Sequence, residues 1–175
     1  MSTDESRSFQ PVNLAILTVS DTRTRDTDTS GDLLEQKAQS AGHIVTERQI
    51  VRDDVDLIQR VMTNWISSKN VDVIISTGGT GLTGRDITPE AVMPLLDKVI
   101  DGFSVIFHMV SYQSVGLSTL QSRAFAGLAK DTFVFCLPGS NGAVTDGWDK
   151  VISPQLDRRS RPCNLVELMP RLMET

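Results

Sequence analysis

A three-layer α/β/α domain with a mostly parallel central sheet is the fold class the chain predicts, and three observations predict it. Short apolar runs rich in β-branched residues recur at 12–20, 71–75 and 132–137; near-continuous runs of this kind suit strands buried on both faces. Segments of helical periodicity lie between them, so strand and helix alternate. No repeat, low-complexity stretch or linker divides the sequence. Residues 1–175 therefore read as a single domain, with a flexible polar tail over about 1–11.

The elements follow in order. Residues 12–20 (VNLAILTVS) read as a first buried strand, ending in the polar loop 21–28. In open α/β sheets ligands sit at the C-terminal edge of the strands, so Ser20 and Asp21 are candidate ligand neighbours; ordinary loop capping is the alternative. Thr29 or Ser30 is expected to cap the next helix, with Asp32 in its first turn, Leu33, Leu34, Ala38 and Ala41 on one face, and Gly42 as its stop. Residues 43–51 alternate only partly, as near a sheet edge, and end in Arg52, Asp53 and Asp54. The clearest helix carries Leu57, Ile58, Val61, Met62, Trp65 and Ile66 at helical spacing, which makes Met62 and Trp65 core residues.

Residues 91–100 are expected to continue a helix, with Pro94 tolerated in its first turns and Asp101-Gly102 breaking the chain. Residues 103–112 (FSVIFHMVSY) are apolar around most of a helical circumference, fitting a buried helix or an interface; His108 within them reads as a packed or interface residue. The mixed segment 116–127 contains Ser122 and Arg123, and the Arg123 guanidinium suits either a phosphate or a surface salt bridge. Another buried strand, 132–137, runs into Pro138-Gly139-Ser140-Asn141-Gly142, and Val144, Trp148, Val151 and Ile152 mark a helix behind that turn.

The segment 71–90 (VDVIISTGGTGLTGRDITPE) organises the rest. A strand leads into Gly78, Gly79, Gly81 and Gly84, after which Thr88 is a suitable N-cap, Pro89 fits the first helical position and Glu90 favours the positive helix end. Strand, glycine loop and helix start gather backbone N–H groups around an anion, most often a phosphate. Gly79, Gly81 and Gly84 satisfy the dinucleotide fingerprint G-x-G-x-x-G, but its glycines should open the helix themselves. A P-loop needs Lys then Ser/Thr where this chain has Arg85 and Asp86. The 138–142 turn repeats the arrangement and suits a second wall of one site.

Two carboxylates stand at strand ends, Asp53 and Asp86. Beside a phosphate-binding loop such a pair can hold Mg²⁺, which keeps most of its waters and bridges to substrate phosphates. Asp53 with Asp54 also suits N-capping, whereas Thr88 as a cap would leave Asp86 free of that task.

Ser76-Thr77-Gly78-Gly79-Thr80-Gly81 followed by Arg85-Asp86-Ile87-Thr88-Pro89-Glu90 resembles the signature of the molybdenum cofactor biosynthesis family that handles molybdopterin and includes the molybdopterin adenylyltransferases. The resemblance spans about 12–164, and 154–157 with 161–164 is similar to the B branch more than to the dedicated adenylyltransferases. It implies a fold of the molybdopterin-binding-domain type and a place in molybdenum cofactor biosynthesis. The implied activity is nucleotidyltransfer: attack of the molybdopterin terminal phosphate on the α-phosphate of ATP, with Mg²⁺ as cofactor. Asp53 and Asp86 match the two acidic catalytic and metal-binding positions. Ser20, Thr77, Gly78, Gly79, Thr80, Gly81, Arg85, Ser122, Arg123, Pro138, Gly139 and Ser140 are the implied substrate-binding positions. The implied partners are molybdopterin, ATP, other proteins of the pathway and further copies of the chain, as a trimer or hexamer. The rival reading is a non-catalytic pterin- or nucleotide-binding protein of the same pathway.

Composition narrows the class. Hydrophobic residues make up 39% of the 175, the net charge is −5 and the pI is near 5.0. No basic stripe of the kind nucleic-acid binders carry is present, and no apolar run is long enough to span a bilayer. The polar start 1–10 lacks the apolar core of a signal peptide. Cys136 and Cys163 suggest neither a disulfide framework nor a zinc site, and Cys136 reads as a small buried hydrophobe. A soluble, cytoplasmic protein with no nucleic-acid or membrane partner is expected.

Overall fold

The computed structural model describes residues 2–174. Its elements are β1 (Ser2–Thr3), β2 (Asn13–Val19), α1 (Thr29–Ser40), β3 (Ile44–Val51), α2 (Val55–Ile66), β4 (Val73–Thr77), α3 (Thr88–Val92), β5 (Lys98–Val99), α4 (Asp101–Val115), β6 (Phe125–Ala129), β7 (Thr132–Leu137), α5 (Asn141–Gly147), α6 (Ser153–Gln155) and β8 (Ser160–Arg161). The six-stranded sheet has the order β3-β2-β4-β7-β6-β5. The four strands β3, β2, β4 and β7 are parallel, while β6 runs antiparallel to both of its neighbours. The expected three-layer α/β/α sandwich is the fold observed.

The continuous apolar runs have a direct explanation: each strand feeds two cores in alternation. Leu14 and Ile16 of β2, Val73 and Ile75 of β4, and Phe133 and Phe135 of β7 pack with Leu34 and Ala38 of α1, Phe103 and Phe107 of α4, and Val144 and Trp148. The intervening Ala15, Leu17, Ile74, Val134 and Cys136 pack with Ile58, Met62 and Trp65 of α2 and with Ala91 and Val92 of α3. Complete burial pushes the Cys136 thiol up to about 12, as an inert core residue requires. β3 is the edge strand that its partial alternation predicts.

Several expectations are corrected. Asp28, not Thr29 or Ser30, caps α1, accepting a hydrogen bond from Gly31 N at 3.0 Å. Asp54 caps α2, accepting from Leu57 N at 3.0 Å, which leaves Asp53 without that task. The helix expected over 91–100 ends at Val92; a 3₁₀ turn at Met93–Leu95 and then β5 replace it, because Pro94 offers no N–H and the chain pairs with β6 instead. Asp101 and Gly102 do not break the chain but open α4. Nor is α4 buried all round: Phe103, Phe107 and Ser111 are buried, whereas Val105, Met109 and Tyr112 are 57–61% exposed. The segment expected as a flexible tail is docked. Ser2 and Thr3 pair with β8, Asp4 forms an ion pair with Arg161 at 2.9 Å, and Phe9 lies against His43 and under the Arg159 guanidinium.

Candidate functional site

Parallel register brings the candidate residues together. Thr18 of β2 is level with Thr77 of β4, which is level with Leu137 of β7, and Val19 is level with Val51 of β3. Ser20, Asp53, the glycine loop and the Pro138 turn therefore leave the same edge of the sheet, where parallel α/β folds place their ligands.

The glycine loop turns at Gly78 and Gly79, with φ of +101° and +64°. These are left-handed conformations that side chains resist. Space requires glycine too: a Cβ on Gly78 would overlap Val19 O, and one on Gly79 would overlap Thr88 Oγ1 and lie 3.1 Å from Asp53 Oδ1. Asp53 thus rests against the loop. Thr88 is not the cap of α3. Its hydroxyl donates to Gly78 O at 2.8 Å and its N–H donates to Gly79 O at 2.9 Å, clamping the turn, and no side chain caps the helix. Across the turn, Gly78 N donates to Leu137 O at 3.0 Å, and a Cβ on Gly139 would lie 3.1 Å from Gly78 Cα. The second wall is in direct contact with the first.

Asp86 does have a structural task. It accepts from Thr83 N at 2.9 Å and Thr83 Oγ1 at 2.7 Å, and a Cβ on Gly81 would lie 2.7 Å from Asp86 Oδ2. Partial burial alone would raise its pKa, but the Thr83 bonds, the Gly81 backbone and nearby Arg123 outweigh burial and hold it below the ordinary range. Asp53 goes the other way: burial first, then the Asp21 and Asp86 charges, push its carboxyl up against the opposing pull of Arg85. Two carboxylates at one loop with opposite shifts differ in environment, which is how paired acids acquire different roles.

Arg85 and Arg123 each have a partner. Arg85 grips Asp21 from Nε at 2.8 Å and Nη2 at 2.7 Å, and these bonds hold the Asp21 carboxyl below its usual value. Arg123 donates from Nε to Gly81 O at 2.8 Å and from Nη2 to Asp86 O at 2.6 Å, and pairs with Glu90. Its role in this structure is to brace the loop. Ser122 O lies 3.0 Å from His108 Nε2, so His108 ties α4 to the same brace. Ser140 caps α5, accepting from Ala143 N at 3.2 Å. Ser20 Oγ accepts from Thr22 N and Arg23 N, both at 3.2 Å, as loop capping requires. Thr77 faces inward: its hydroxyl lies 3.0 Å from Ser30 Oγ, next to Asp28.

Asp28 has a larger part than the sequence suggested. It is fully buried and accepts from Thr18 Oγ1 at 2.7 Å and Arg48 Nη2 at 2.8 Å. This network fixes the base of the loop through Ser30 and Thr77. The nineteen residues between Asp28 and its partner Arg48 on β3 hide it; Asp28 reads locally as one more polar loop residue. Thr83-x-x-Asp86 carried a visible spacing, since a hydroxyl three residues before an acid can close a tight turn.

Among the described residues no three His, Cys, Asp or Glu side chains converge into a metal cage. Asp53, however, is a carboxylate raised first by burial and then by the Asp21 and Asp86 charges, and a cation held by it together with substrate phosphates would offset both. This donor set fits Mg²⁺, which takes one or two carboxylates and keeps its waters.

A parallel sheet with a clamped glycine loop, two carboxylates and a second glycine turn at one edge is the arrangement in which α/β domains commonly seat anionic ligands. Residues 15–158 match the family described as "Probable molybdopterin binding domain", and the chain belongs to it. More narrowly, it belongs with the molybdenum cofactor biosynthesis proteins. It is 48% identical over 159 residues to Molybdenum cofactor biosynthesis protein B of Escherichia coli K12, covering 91% of this chain and 94% of that protein. A crystal structure of a Molybdenum cofactor biosynthesis protein B superposes with a TM-score of 0.86 at 40% identity, over 97% of this chain and 100% of that one. A molybdopterin biosynthesis protein from Mycobacterium abscessus gives 0.78 at 29% identity, over 92% and 96%. The chain is thus a molybdenum cofactor biosynthesis protein of the molybdopterin-binding family, consistent with a pterin partner. Among the described residues no helix is long and apolar enough to cross a membrane.

Proposed function

We propose that the protein adenylylates molybdopterin, transferring AMP from Mg-ATP to the terminal phosphate of the pterin and releasing pyrophosphate. The observation that carries this reading is the placement of Asp53 and Asp86 on the two sides of one glycine loop, Asp53 against Gly79 and Asp86 against Gly81. Backbone N–H groups of a turn held open by Thr88 and Arg123 bind phosphate oxygens without moving. Asp86, kept ionised by Thr83, and Asp53, raised by burial and by its acidic neighbours, would hold Mg²⁺, which would neutralise the charge that develops on the phosphates. Phosphoryl-type transfer depends on positioning and electrostatics, so no protein nucleophile is required.

Pyrophosphate release from Mg-ATP by the purified protein, with and without molybdopterin, tests the reading. Release that depends on molybdopterin supports it. Binding of molybdopterin or ATP without release supports the rival reading of a non-catalytic pathway protein, for which the engagement of Arg85 and Arg123 by Asp21 and Glu90 speaks. The exposed apolar side of α4 with Leu117 and Leu120, 70% and 72% exposed, fits assembly into a trimer or hexamer; light scattering of the purified protein reads that state directly.

A further inference from the structure

Behind the glycine loop lies a cavity of about 270 Å³, walled by Thr80 and Gly81 on one side, Ser140 on another and Ser111 and Thr119 on a third. Its volume falls just under the range of about 300–1,000 Å³ typical of drug-sized ligands. Asp146 of α5 lines it. This carboxylate is only 6% exposed, and its bond from Lys150 Nζ at 2.8 Å engages Oδ1. Oδ2 has no hydrogen-bond partner among the described residues. On the same cavity, Thr119 is 7% exposed and its hydroxyl is buried with no partner. Burying an unpaired hydroxyl costs free energy that a ligand with a matching group removes. Neither residue has a part in the phosphate chemistry described above, and neither is held by the braces of the loop.

We propose that Asp146 is the specificity-determining residue for the heterocycle: it accepts hydrogen bonds from the 2-amino group and the adjacent ring N–H of a 2-amino-4-oxo bicycle seated in this cavity. Thr119 offers a donor for the 4-oxo side. The inference rests on the molybdopterin reading and adds the residue that would recognise the pterin. A carboxylate suits that edge because it presents only acceptors to two adjacent donors, as bidentate recognition requires. Adenine, with an unprotonated ring nitrogen at the corresponding position, and a 2,4-dioxo ring, with an oxygen in place of the amine, each put an acceptor against the carboxylate. Guanine shares the favoured edge, so the edge chemistry is common to pterins and guanine nucleotides.

The experiment measures dissociation constants of the full chain for 6-methylpterin, 6-methyllumazine and guanosine, for the wild type and for Asp146→Asn and Thr119→Val. Wild type is expected to prefer the pterin over the lumazine by about tenfold or more, the discrimination one bidentate pair supplies. Asp146→Asn brings that ratio close to one, because the amide can face either ring. Thr119→Val weakens both ligands and keeps the ratio. Asp146→Ser reads the same ratio should the amide disturb the Lys150 pair. A ratio unchanged in both Asp146 variants overturns the proposal, and so does guanosine binding more tightly than the pterin. Wild type that binds none of the three overturns it as well. Molybdopterin-dependent pyrophosphate release stands apart from these outcomes: release with an unchanged ratio removes Asp146 from recognition and leaves the adenylylation reading in place.

Discussion

The glycine loop after β4 and the Pro138 turn after β7 leave the same sheet edge by similar sequence, strand then glycine then helix, yet they are held in different ways. The first is braced from every side: Thr88 clamps Gly78 and Gly79, Thr83 holds Asp86, and Arg123 donates to Gly81 O and Asp86 O. The second has fewer supports: the Ser140 cap, a bond from Thr29 Oγ1 to Asn141 Oδ1 at 3.2 Å and contact with Gly78. The difference teaches where rigidity is needed. On the adenylylation reading, a loop whose N–H groups must meet phosphates without reorganisation carries the more redundant supports, and the facing wall carries fewer.

That contrast sets the order of expected effects. Gly78→Ala meets both a positive φ and the Val19 carbonyl, so it should lower stability by about 3 kcal/mol or more, read as a fall in denaturation midpoint. Arg123→Ala removes a partly exposed brace. It should cost about 1–2 kcal/mol and speed amide exchange across 79–86 without melting the sheet. Ser140→Ala loses one cap and should cost about 1 kcal/mol, with exchange in 79–86 unchanged. If the Ser140 variant loosened the glycine loop as much as the Arg123 variant, the contrast between the two loops would fail.

The smallest effect is also the most specific in sign. Asp53 is raised above its ordinary value of 3.8, so the native state holds that proton more tightly than the unfolded chain. Its favourable contribution is complete below pH 3.8 and is lost as pH rises through the native value, leaving a penalty at neutral pH. Asp53→Asn should therefore raise the thermal midpoint at pH 7 and leave it little changed at pH 3. Mg-ATP should raise the midpoint of the wild type more than that of Asp53→Asn.

Much of this was legible in the sequence because it is local or periodic. The central strands announced themselves through β-branched runs, α2 through its spacing, and the candidate site through its glycines. What was hidden depends on partners distant in the chain. β6 is spelled FAGLA, in which two Ala and a Gly favour strands poorly, and exists because β7 and β5 flank it. The end of α3 at Val92 follows from the pairing of β5 as well as from Pro94, and the pairing is not visible in the local residues. Thr88 looked like a cap because Ser and Thr before Pro usually are; the two carbonyls of Gly78 and Gly79 capture it instead. The buried Arg48–Asp28 pair joins residues twenty apart, which no local pattern shows.

The measurement that tests the central claim most directly is molybdopterin-dependent pyrophosphate release by Asp86→Asn beside the wild type, with folding checked by circular dichroism. The amide keeps an acceptor for Thr83, so the loop is expected to survive while the ionised oxygen is lost. A folded variant with turnover reduced by about 10²–10³ is the predicted result. A folded Asp86→Asn protein as active as the wild type would contradict the account.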